Sequence, residues 1–242
     1  MSAFRELLDE ATLEPDYAYL RETPSGKAAL WHKAFEFFCL GLFNLYCPLK
    51  VTGREHLPSP PYIVCSNHCS HMDSPALMYA ADGGFGQFGM VAAKDYFFDH
   101  KKRSSLLPQL MNLIPAERRA NRETIVRLMV ACREFSRHAN RNIIIYPEGT
   151  RSQTGKLAPL KKGPAMIAHE IDMAIVPAYI DGTYRSYPKG GKILKPARVC
   201  VHFGEPILPA GFDDEDTKLV YTAITQELTR RIEQLRDRHG HD

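Results

Sequence analysis

Residues 62–73 of the chain read Tyr-Ile-Val-Cys-Ser-Asn-His-Cys-Ser-His-Met-Asp, an apolar run that passes directly into polar residues. A second stretch has the same form, since residues 142–152 read Asn-Ile-Ile-Ile-Tyr-Pro-Glu-Gly-Thr-Arg-Ser. Short, continuously apolar runs bounded by turn residues are typical of strands that are buried on both faces of a sheet. The sequence therefore predicts two buried strands, each with a polar motif at its carboxyl end.

The rest of the chain alternates between helical and strand patterns. Predicted helices cover approximately residues 3–13, 28–46, 74–81, 106–113, 121–139, 163–171 and 217–236. Predicted strands cover approximately residues 50–53, 62–66, 89–94, 143–146, 174–180 and 198–203. This alternation, with near-continuous apolar strands, predicts a single α/β domain whose mixed, mostly parallel sheet is flanked by helices.

Residues 1–48 are predicted to form an apolar and amphipathic helical segment that associates with a membrane, and residues 49–242 the α/β domain. In the helix at 28–46, Lys33, Glu36 and Asn44 fall on one narrow polar stripe. The helix is either a buried core helix or a helix that lies in a membrane interface. We favour the second because aromatic residues are dense and the stripe is too thin for a free surface helix. No run reaches the ~18 uncharged apolar residues of a membrane span.

The bulk composition of the chain excludes few classes of protein. The chain has 242 residues, 44% of them hydrophobic and 24% charged, which suits one globular domain. The net charge of +3 indicates no class of partner, and the basic clusters carry no nucleic-acid-binding motif. The N-terminus does not have the pattern of a secretory signal. Without Cys-x2-Cys spacing, the six cysteines are predicted to be reduced, buried thiols.

His68 and Asp73 are the candidate catalytic pair. A neutral imidazole can take the proton of an attacking alcohol, and it works best when a carboxylate binds its other ring nitrogen. Asp73 can supply that carboxylate if residues 68–73 turn into the start of a helix. The competing interpretation is a strand-end histidine satisfied by local backbone. The second motif favours the catalytic interpretation.

Other chemistry at the first motif has weaker support. Cys69 and Ser70 flank His68, but neighbours in a turn rarely bring their functional atoms together, and Gly-x-Ser-x-Gly is absent. His71 and His68 lack a third ligand of recognisable spacing, so no metal site is predicted. We expect catalysis without a covalent intermediate, and we expect His71 to be a loop residue near the mouth of the site.

Arg151 is the key residue of the second motif. Its planar guanidinium matches a phosphate or carboxylate with two hydrogen bonds. Glu148 is expected either to orient Arg151 or to contact a substrate hydroxyl, and Gly149 lets the backbone approach a ligand. The competing interpretation is a structural salt bridge between Glu148 and Arg151 on a surface turn.

Together, the two motifs resemble those of the glycerolipid acyltransferase family, of the lysophosphatidate acyltransferase type. That family carries His-x4-Asp in its first motif, matched by His68 and Asp73, and Glu-Gly-Thr-Arg in its third, matched by residues 148–151. The resemblance covers approximately residues 50–205. It implies that His68 and Asp73 are catalytic. It also implies that the third motif binds substrate through Glu148, Gly149, Thr150 and Arg151.

Two weaker motifs complete the resemblance. Residues 114–119 (Ile-Pro-Ala-Glu-Arg-Arg) are similar to the second motif, although the family more often has Asp where this chain has Glu117. By resemblance, Arg118 holds the acceptor phosphate because it directly follows the acid, and Arg119 is the alternative. Pro177, within an apolar strand, matches the fourth motif and is expected to shape the wall of an acyl pocket. A purely structural proline is the alternative.

The function that this resemblance implies is acyl transfer. A fatty acyl chain would move from an acyl thioester, linked to CoA or acyl carrier protein, to the free hydroxyl of a lysophospholipid, most simply 1-acylglycerol 3-phosphate. No cofactor or metal is expected because the thioester is already activated. The expected partners are the thioester donor and a membrane lipid surface, at the cytoplasmic face, with the protein peripheral or monotopic.

Three other functions stay open from the sequence. The acceptor could be another lysophospholipid or another acyl acceptor. A hydrolase or thioesterase could use His68 to activate water. A non-catalytic membrane-binding protein could keep the fold alone. No nucleic-acid partner is expected, and the sequence indicates no oligomeric state.

Overall fold

A computed structural model of the chain describes residues 3–81, 84–97, 111–119 and 121–240. Its strands are β1 (Leu49–Thr52), β2 (Ile63–Ser66), β3 (Phe88–Ala93), β4 (Leu113–Ala116), β5 (Asn142–Ile145), β6 (Ile175–Asp181) and β7 (Val199–Phe203). Within the described residues these form one sheet in the order β1-β7-β6-β2-β5-β3-β4. Neighbouring strands are parallel except β6 and β7, which are antiparallel. The predicted mixed, mostly parallel sheet is confirmed.

Helices cover both faces of this sheet. They are α1 (Ala3–Glu10), α2 (Gly26–Gly41), α3 (Asp73–Ala80), α4 (Lys94–Phe97), α5 (Arg122–Arg137), α6 (Gly163–Ile171), α7 (Thr183–Ser186) and α8 (Thr217–His239). One hydrophobic core lies between the sheet and α1, α5, α6 and α8, and a second lies between the sheet and α2 and α3. The predicted single α/β domain flanked by helices is confirmed.

The apolar run that opened the sequence explains the position of β2. Ile63 and Cys65 point into the first core, whereas Val64 points into the second, and all three are fully buried. Side chains alternate between the two faces of a strand, so a strand covered on both faces must be apolar at every position. This places β2 in the interior of the sheet, between β5 and β6.

The N-terminal segment packs on the domain and also exposes apolar surface. Leu8 belongs to the first core, and Phe43 belongs to the second. By contrast, Phe37 is 77% exposed and Leu45, in the π-helical turn Leu42–Tyr46 that follows α2, is 84% exposed. The buried side fits the interpretation as a core helix, and the interpretation as a membrane-interface helix stays a prediction. Among the helices of the described ranges, none combines the length and the hydrophobicity that a membrane span requires. The boundary at residues 48 and 49 stays a prediction.

The structure and the predicted elements differ in two regions. The predicted helix at 106–113 lies outside the described residues except for its last three positions, and Leu113 begins β4. The sequence pattern did not reveal β4 because Pro115 interrupts it. A proline fits there because β4 is an edge strand, where a missing N–H breaks no ladder. Between α1 and α2, where no element was predicted, the chain forms a 3-10 helix, Pro15–Arg21.

The cysteine prediction is confirmed. All six are unpaired and buried: Cys39, Cys47, Cys65, Cys69, Cys132 and Cys200.

Candidate active site

The two polar motifs meet at one edge of the sheet. β2 and β5 are adjacent and parallel, so the turns after their carboxyl ends lie side by side. The backbone amide of Ser152 donates to the carbonyl oxygen of His68 at 2.7 Å, which joins the two turns directly. Crevices at the carboxyl ends of strands are the usual ligand sites of open α/β sheets.

His68 and Asp73 form the predicted pair. The distance from His68 Nδ1 to Asp73 Oδ2 is 2.8 Å. Asp73 is fully buried, and the same oxygen accepts from the backbone amides of Cys69 at 2.7 Å and Ser70 at 2.8 Å. Asp73 therefore holds the turn and the imidazole together. With Nδ1 donating to a carboxylate, the Nε2 lone pair of a neutral ring is left for a substrate proton.

Tyr146 forms one wall of the histidine. Its ring stacks on the His68 imidazole with centroids 3.7 Å apart and planes 9° apart. The Tyr146 hydroxyl lies 2.7 Å from Ser74 Oγ, which fixes the phenol against the start of α3. Burial raises the pKa of Tyr146 well above its ordinary value, so the hydroxyl stays protonated. In the sequence, Tyr146 was only the last residue of an apolar run, and nothing there indicated this contact.

Glu148 supports the backbone of the catalytic turn. Its carboxylate accepts from the His68 amide at 2.7 Å and from the Ala158 amide at 2.9 Å. Burial raises the pKa of Glu148 despite these two bonds. Neither the expected contact that orients Arg151 nor the alternative Glu148–Arg151 salt bridge is present among the described ion pairs. Both carboxylate oxygens of Glu148 accept from backbone amides on either side of the turn, so the expected contact with Arg151 is not made.

Gly149, Thr150 and Arg151 lie on the open side of the same turn. Gly149 adopts φ +72°, and a Cβ there would lie 2.6 Å from the ammonium nitrogen of Lys161. Arg151 is half-buried, and within the described ranges its guanidinium makes no ion pair or hydrogen bond. Arg151 and Lys161 thus bring two cations to one turn. The sequence showed Lys161 only as part of a basic cluster.

The other polar residues of the first motif have no catalytic geometry. Burial is the main cause that raises the pKa of the Cys69 thiol to about 12, and the charge of Asp73 is the second. Cys69 is therefore not a thiolate at neutral pH. Ser70 is buried, and its hydroxyl accepts from the Met72 amide. His71 is exposed, as predicted for a loop residue.

The structure does not bring Arg118 close to His68. Arg118 follows β4, which lies three strands from β2, or roughly 14 Å at the usual strand spacing. Its Nε binds both carboxylate oxygens of Asp95, at 2.6 and 2.9 Å, in an exposed pair. Arg119 is exposed and has no such partner among the described residues. The preference for Arg118 over Arg119 stays a prediction.

Pro177 lies on the face of β6 that α8 covers. Its ring is near Leu235 of α8, since a Cβ built on Gly204 would lie 3.2 Å from Pro177 and 3.4 Å from Leu235. The neighbouring residues Val176 and Ala178 point into the other core. Pro177 therefore cannot line a pocket between the sheet and α2 or α3.

Comparison with known proteins gives the family. Residues 48–181, more than half of the chain, match the family model described as Acyltransferase. The chain belongs to the acyltransferase family. Both motifs of the site lie inside the matched residues.

Relatives of this acyltransferase-family chain are named for the same activity. A 1-acyl-sn-glycerol-3-phosphate acyltransferase of Limnanthes douglasii is 33% identical over 66% of this chain and 54% of its own length. A 1-acyl-sn-glycerol-3-phosphate acyltransferase of Cocos nucifera is 29% identical over 69% of this chain and 52% of its own length. The chain spans about half the length of the curated relatives it matches.

A solved structure shares the fold. The 1-acyl-sn-glycerophosphate acyltransferase PlsC of Thermotoga maritima superposes with a TM-score of 0.57 at 28% identity, covering 82% of this chain and 78% of that one. The likeness therefore extends beyond the family segment.

In this acyltransferase-family fold, a narrow apolar groove begins beside the catalytic turn. It lies between α2, α3 and the sheet, and Ser74, directly after Asp73, is one of its lining residues. The lining residues are His32, Phe35, Ser74, Pro75, Met78, Phe85, Met90 and Met111. The groove has only about 20 Å³ of free space. Methionine side chains are flexible enough to change that volume by rotation.

Proposed function

We propose that the chain transfers a fatty acyl group from an acyl thioester to the free hydroxyl of a phosphate-bearing lysolipid, 1-acylglycerol 3-phosphate. The observation that carries the proposal is the His68–Asp73 pair with Arg151 open beside it. A general base and a phosphate-binding cation in one crevice suit an acceptor that has a hydroxyl close to a phosphate. The activity for which the relatives are named supports the same acceptor.

The proposed reaction is a direct displacement. His68 Nε2 takes the proton of the acceptor hydroxyl while Asp73 stabilises the imidazolium that forms. The hydroxyl oxygen forms a bond to the thioester carbonyl carbon. The tetrahedral intermediate then breaks its carbon–sulfur bond, and the leaving thiolate takes the proton from His68. A thioester is already activated, so the reaction needs no cofactor or metal.

The oxyanion of that intermediate requires hydrogen-bond donors. The Gly149 amide already donates to the Tyr146 carbonyl at 3.0 Å, and the Cys69 and Ser70 amides bind Asp73. The next two amides, of Thr150 and Arg151, have no hydrogen-bond acceptor within the described residues. We propose these two as the donors, an effect worth about 3–4 kcal/mol per donor in other enzymes.

The acyl chain is proposed to enter the groove beside Ser74. Its lining is apolar apart from His32 and Ser74, and it includes three methionines. With about 20 Å³ of space, the groove must open by side-chain rotation before an alkyl chain can enter. The thioester carrier lies outside this groove, so the groove favours neither CoA nor acyl carrier protein.

We propose that the exposed side of the N-terminal helical segment lies on a membrane. Large apolar side chains project from it: Leu30, Trp31, Phe37, Phe38, Leu40, Leu45 and Tyr46. A helix with such a face is stabilised in the interface between headgroups and acyl chains. The six unpaired cysteines favour the cytoplasmic face, where thiols stay reduced, with the protein peripheral or monotopic.

The decisive experiment measures transfer from a palmitoyl thioester to a panel of lysolipids in detergent micelles. Transfer to lysophosphatidate, much faster than to lysophospholipids with larger headgroups, is the expected result. Transfer only to another acceptor would keep the mechanism and change the substrate. Release of free fatty acid at the same rate without acceptor would replace the proposal with a hydrolase.

Arg151→Lys is expected to raise the KM for lysophosphatidate at least about tenfold, because the charge remains but the two-pronged hydrogen-bonding geometry is lost. The same variant should acylate a monoacylglycerol, which lacks phosphate, at the parental rate. Arg118→Lys and Arg119→Lys serve as matched comparisons. A larger KM change in one of these, with Arg151→Lys unchanged, would move the phosphate site to the second motif.

Tyr146→Ala is expected to lower kcat about tenfold to a hundredfold, because His68 loses the ring that restricts its orientation and small misplacements of catalytic groups are costly. Tyr146→Phe keeps the stacked ring and removes only the hydrogen bond to Ser74. The kcat of Tyr146→Phe should stay within about threefold of the parental value. Equal losses in the two variants would show that the hydroxyl, not the stack, is what matters.

A further inference from the structure

The segment between α7 and β7 is a charged loop beside the active site. Residues 187–195 read Tyr-Pro-Lys-Gly-Gly-Lys-Ile-Leu-Lys, and we call them the basic loop. The side chains of Lys189, Lys192 and Lys195 are exposed, and none makes an ion pair or hydrogen bond within the described residues. Ile193, between them, is 74% exposed.

The basic loop is held in a defined conformation. At its ends, the Lys195 amide donates to the Ser186 carbonyl at 3.0 Å, and the Ser186 hydroxyl donates to the Lys195 carbonyl at 2.6 Å. Leu194 packs against the core between the sheet and α2 and α3. Because Leu194 points inward, its neighbours Ile193 and Lys195 are presented outward on a fixed surface.

The loop also connects the N-terminal helical segment to the catalytic turn. The Tyr46 hydroxyl donates to the Leu194 carbonyl at 3.0 Å. On its other side, Pro188 forms an antiparallel bridge with Ser70, whose amide binds Asp73. The cations, the exposed Ile193 and the exposed end of the helical segment therefore lie at the same edge of the molecule as His68.

We propose that the basic loop docks on the anionic headgroups of a lipid bilayer, with Ile193 inserted in the interface. This rests on the proposed function, in which the acceptor is a membrane lipid. Lysines near a membrane surface are attracted to anionic lipids, and an exposed apolar residue beside them adds burial. An acidic carrier protein would also attract the lysines, but it gives no reason for an exposed Ile193 next to Leu194, to which the exposed Tyr46 is hydrogen-bonded.

The test is partition of the whole protein into vesicles without any substrate. Vesicles of phosphatidylcholine are compared with vesicles that also contain phosphatidylglycerol. The triple variant Lys189→Gln, Lys192→Gln, Lys195→Gln is expected to lose about tenfold to a hundredfold of its partition into the anionic vesicles, since each lysine near the surface contributes roughly fivefold. Partition into pure phosphatidylcholine should change little, and added salt should reduce the difference.

A matched control removes the same charge elsewhere. The variant Lys218→Gln, Arg230→Gln, Arg238→Gln lies on α8, which covers the opposite face of the sheet from α2. It should partition like the parent. Ile193→Ser is expected to weaken binding to both kinds of vesicle, by up to about tenfold. Because all its changes are on exposed side chains, the lysine variant should unfold at the parental temperature.

Two results would overturn the proposal. Parental partition of the lysine variant into anionic vesicles would exclude docking through the basic loop. Unchanged partition with a raised KM for an acyl carrier protein donor would assign the loop to an acidic protein instead. Partition is measured without turnover, so failure of the acyl-transfer proposal would appear in the lysolipid panel and leave this result intact.

Discussion

His68→Ala is expected to lower kcat for acyl transfer by about 10³- to 10⁴-fold, the upper range for loss of a general base. The acceptor hydroxyl then has no group to take its proton, while the thioester and phosphate contacts remain. KM for both substrates should therefore change little. Initial rates with saturating lysophosphatidate and palmitoyl thioester provide the measurement.

His71→Ala is the matched control for this variant. His71 lies on the same turn, three residues further on, and it is exposed and outside the pair. It should keep the parental rate within a few-fold. Folding of His68→Ala should also persist, because Asp73 still accepts from two backbone amides that hold the turn. A kcat of His68→Ala within tenfold of the parental kcat would exclude His68 as the general base.

The strands that carry the site were predictable because they are covered on both faces. Ile63, Val64 and Cys65 must all be apolar when helices pack above and below β2, and this leaves a continuous signal in the sequence. β4 gave no such signal. It is short, contains Pro115, and lies at the edge of the sheet, where local propensity says little about pairing.

The contacts around the site were predictable only where they are local. His68 and Asp73 are five residues apart, so a turn could be expected to join them. The bond from the His68 amide to Glu148 spans 80 positions, and in sequence Glu148 had a nearer apparent partner in Arg151. Tyr146 stacks on His68 because β5 lies beside β2. No spacing within one segment can reveal such a contact.

The face to which a strand residue points was equally hidden. Alternation along β6 divides its residues between two faces, but it does not say which helices cover each face. Pro177 points toward α8, while the apolar groove lies on the side of α2 and α3. Pro177 therefore does not line this groove, its contacts fit a structural proline, and its expected place in the wall of an acyl pocket stays a prediction.

Replacement of Asp73 separates its charge from its hydrogen bonds. In Asp73→Ala, the amides of Cys69 and Ser70 lose their acceptor inside the protein, and each unsatisfied buried donor costs about 1–3 kcal/mol. The thermal midpoint should fall clearly, together with activity. This variant alone cannot distinguish a folding role from a catalytic one.

Asp73→Asn makes that distinction. An amide oxygen in the place of Oδ2 can still accept from both backbone amides and from His68 Nδ1, so the turn should stay folded. The amide nitrogen would occupy the place of Oδ1, which is buried and has no hydrogen-bond partner among the described residues, so a small loss of stability is expected.

The lost charge is expected to dominate the kinetics of Asp73→Asn. A neutral amide does not stabilise the imidazolium that forms when His68 takes the substrate proton. We expect kcat to fall about 10²- to 10⁴-fold with acceptor KM nearly unchanged. If Asp73 served only to hold the turn, Asp73→Asn would stay near parental activity while Asp73→Ala lost it. Parallel measurement of kcat and thermal midpoint in the two variants therefore decides whether the carboxylate acts on His68 or only on the backbone around it.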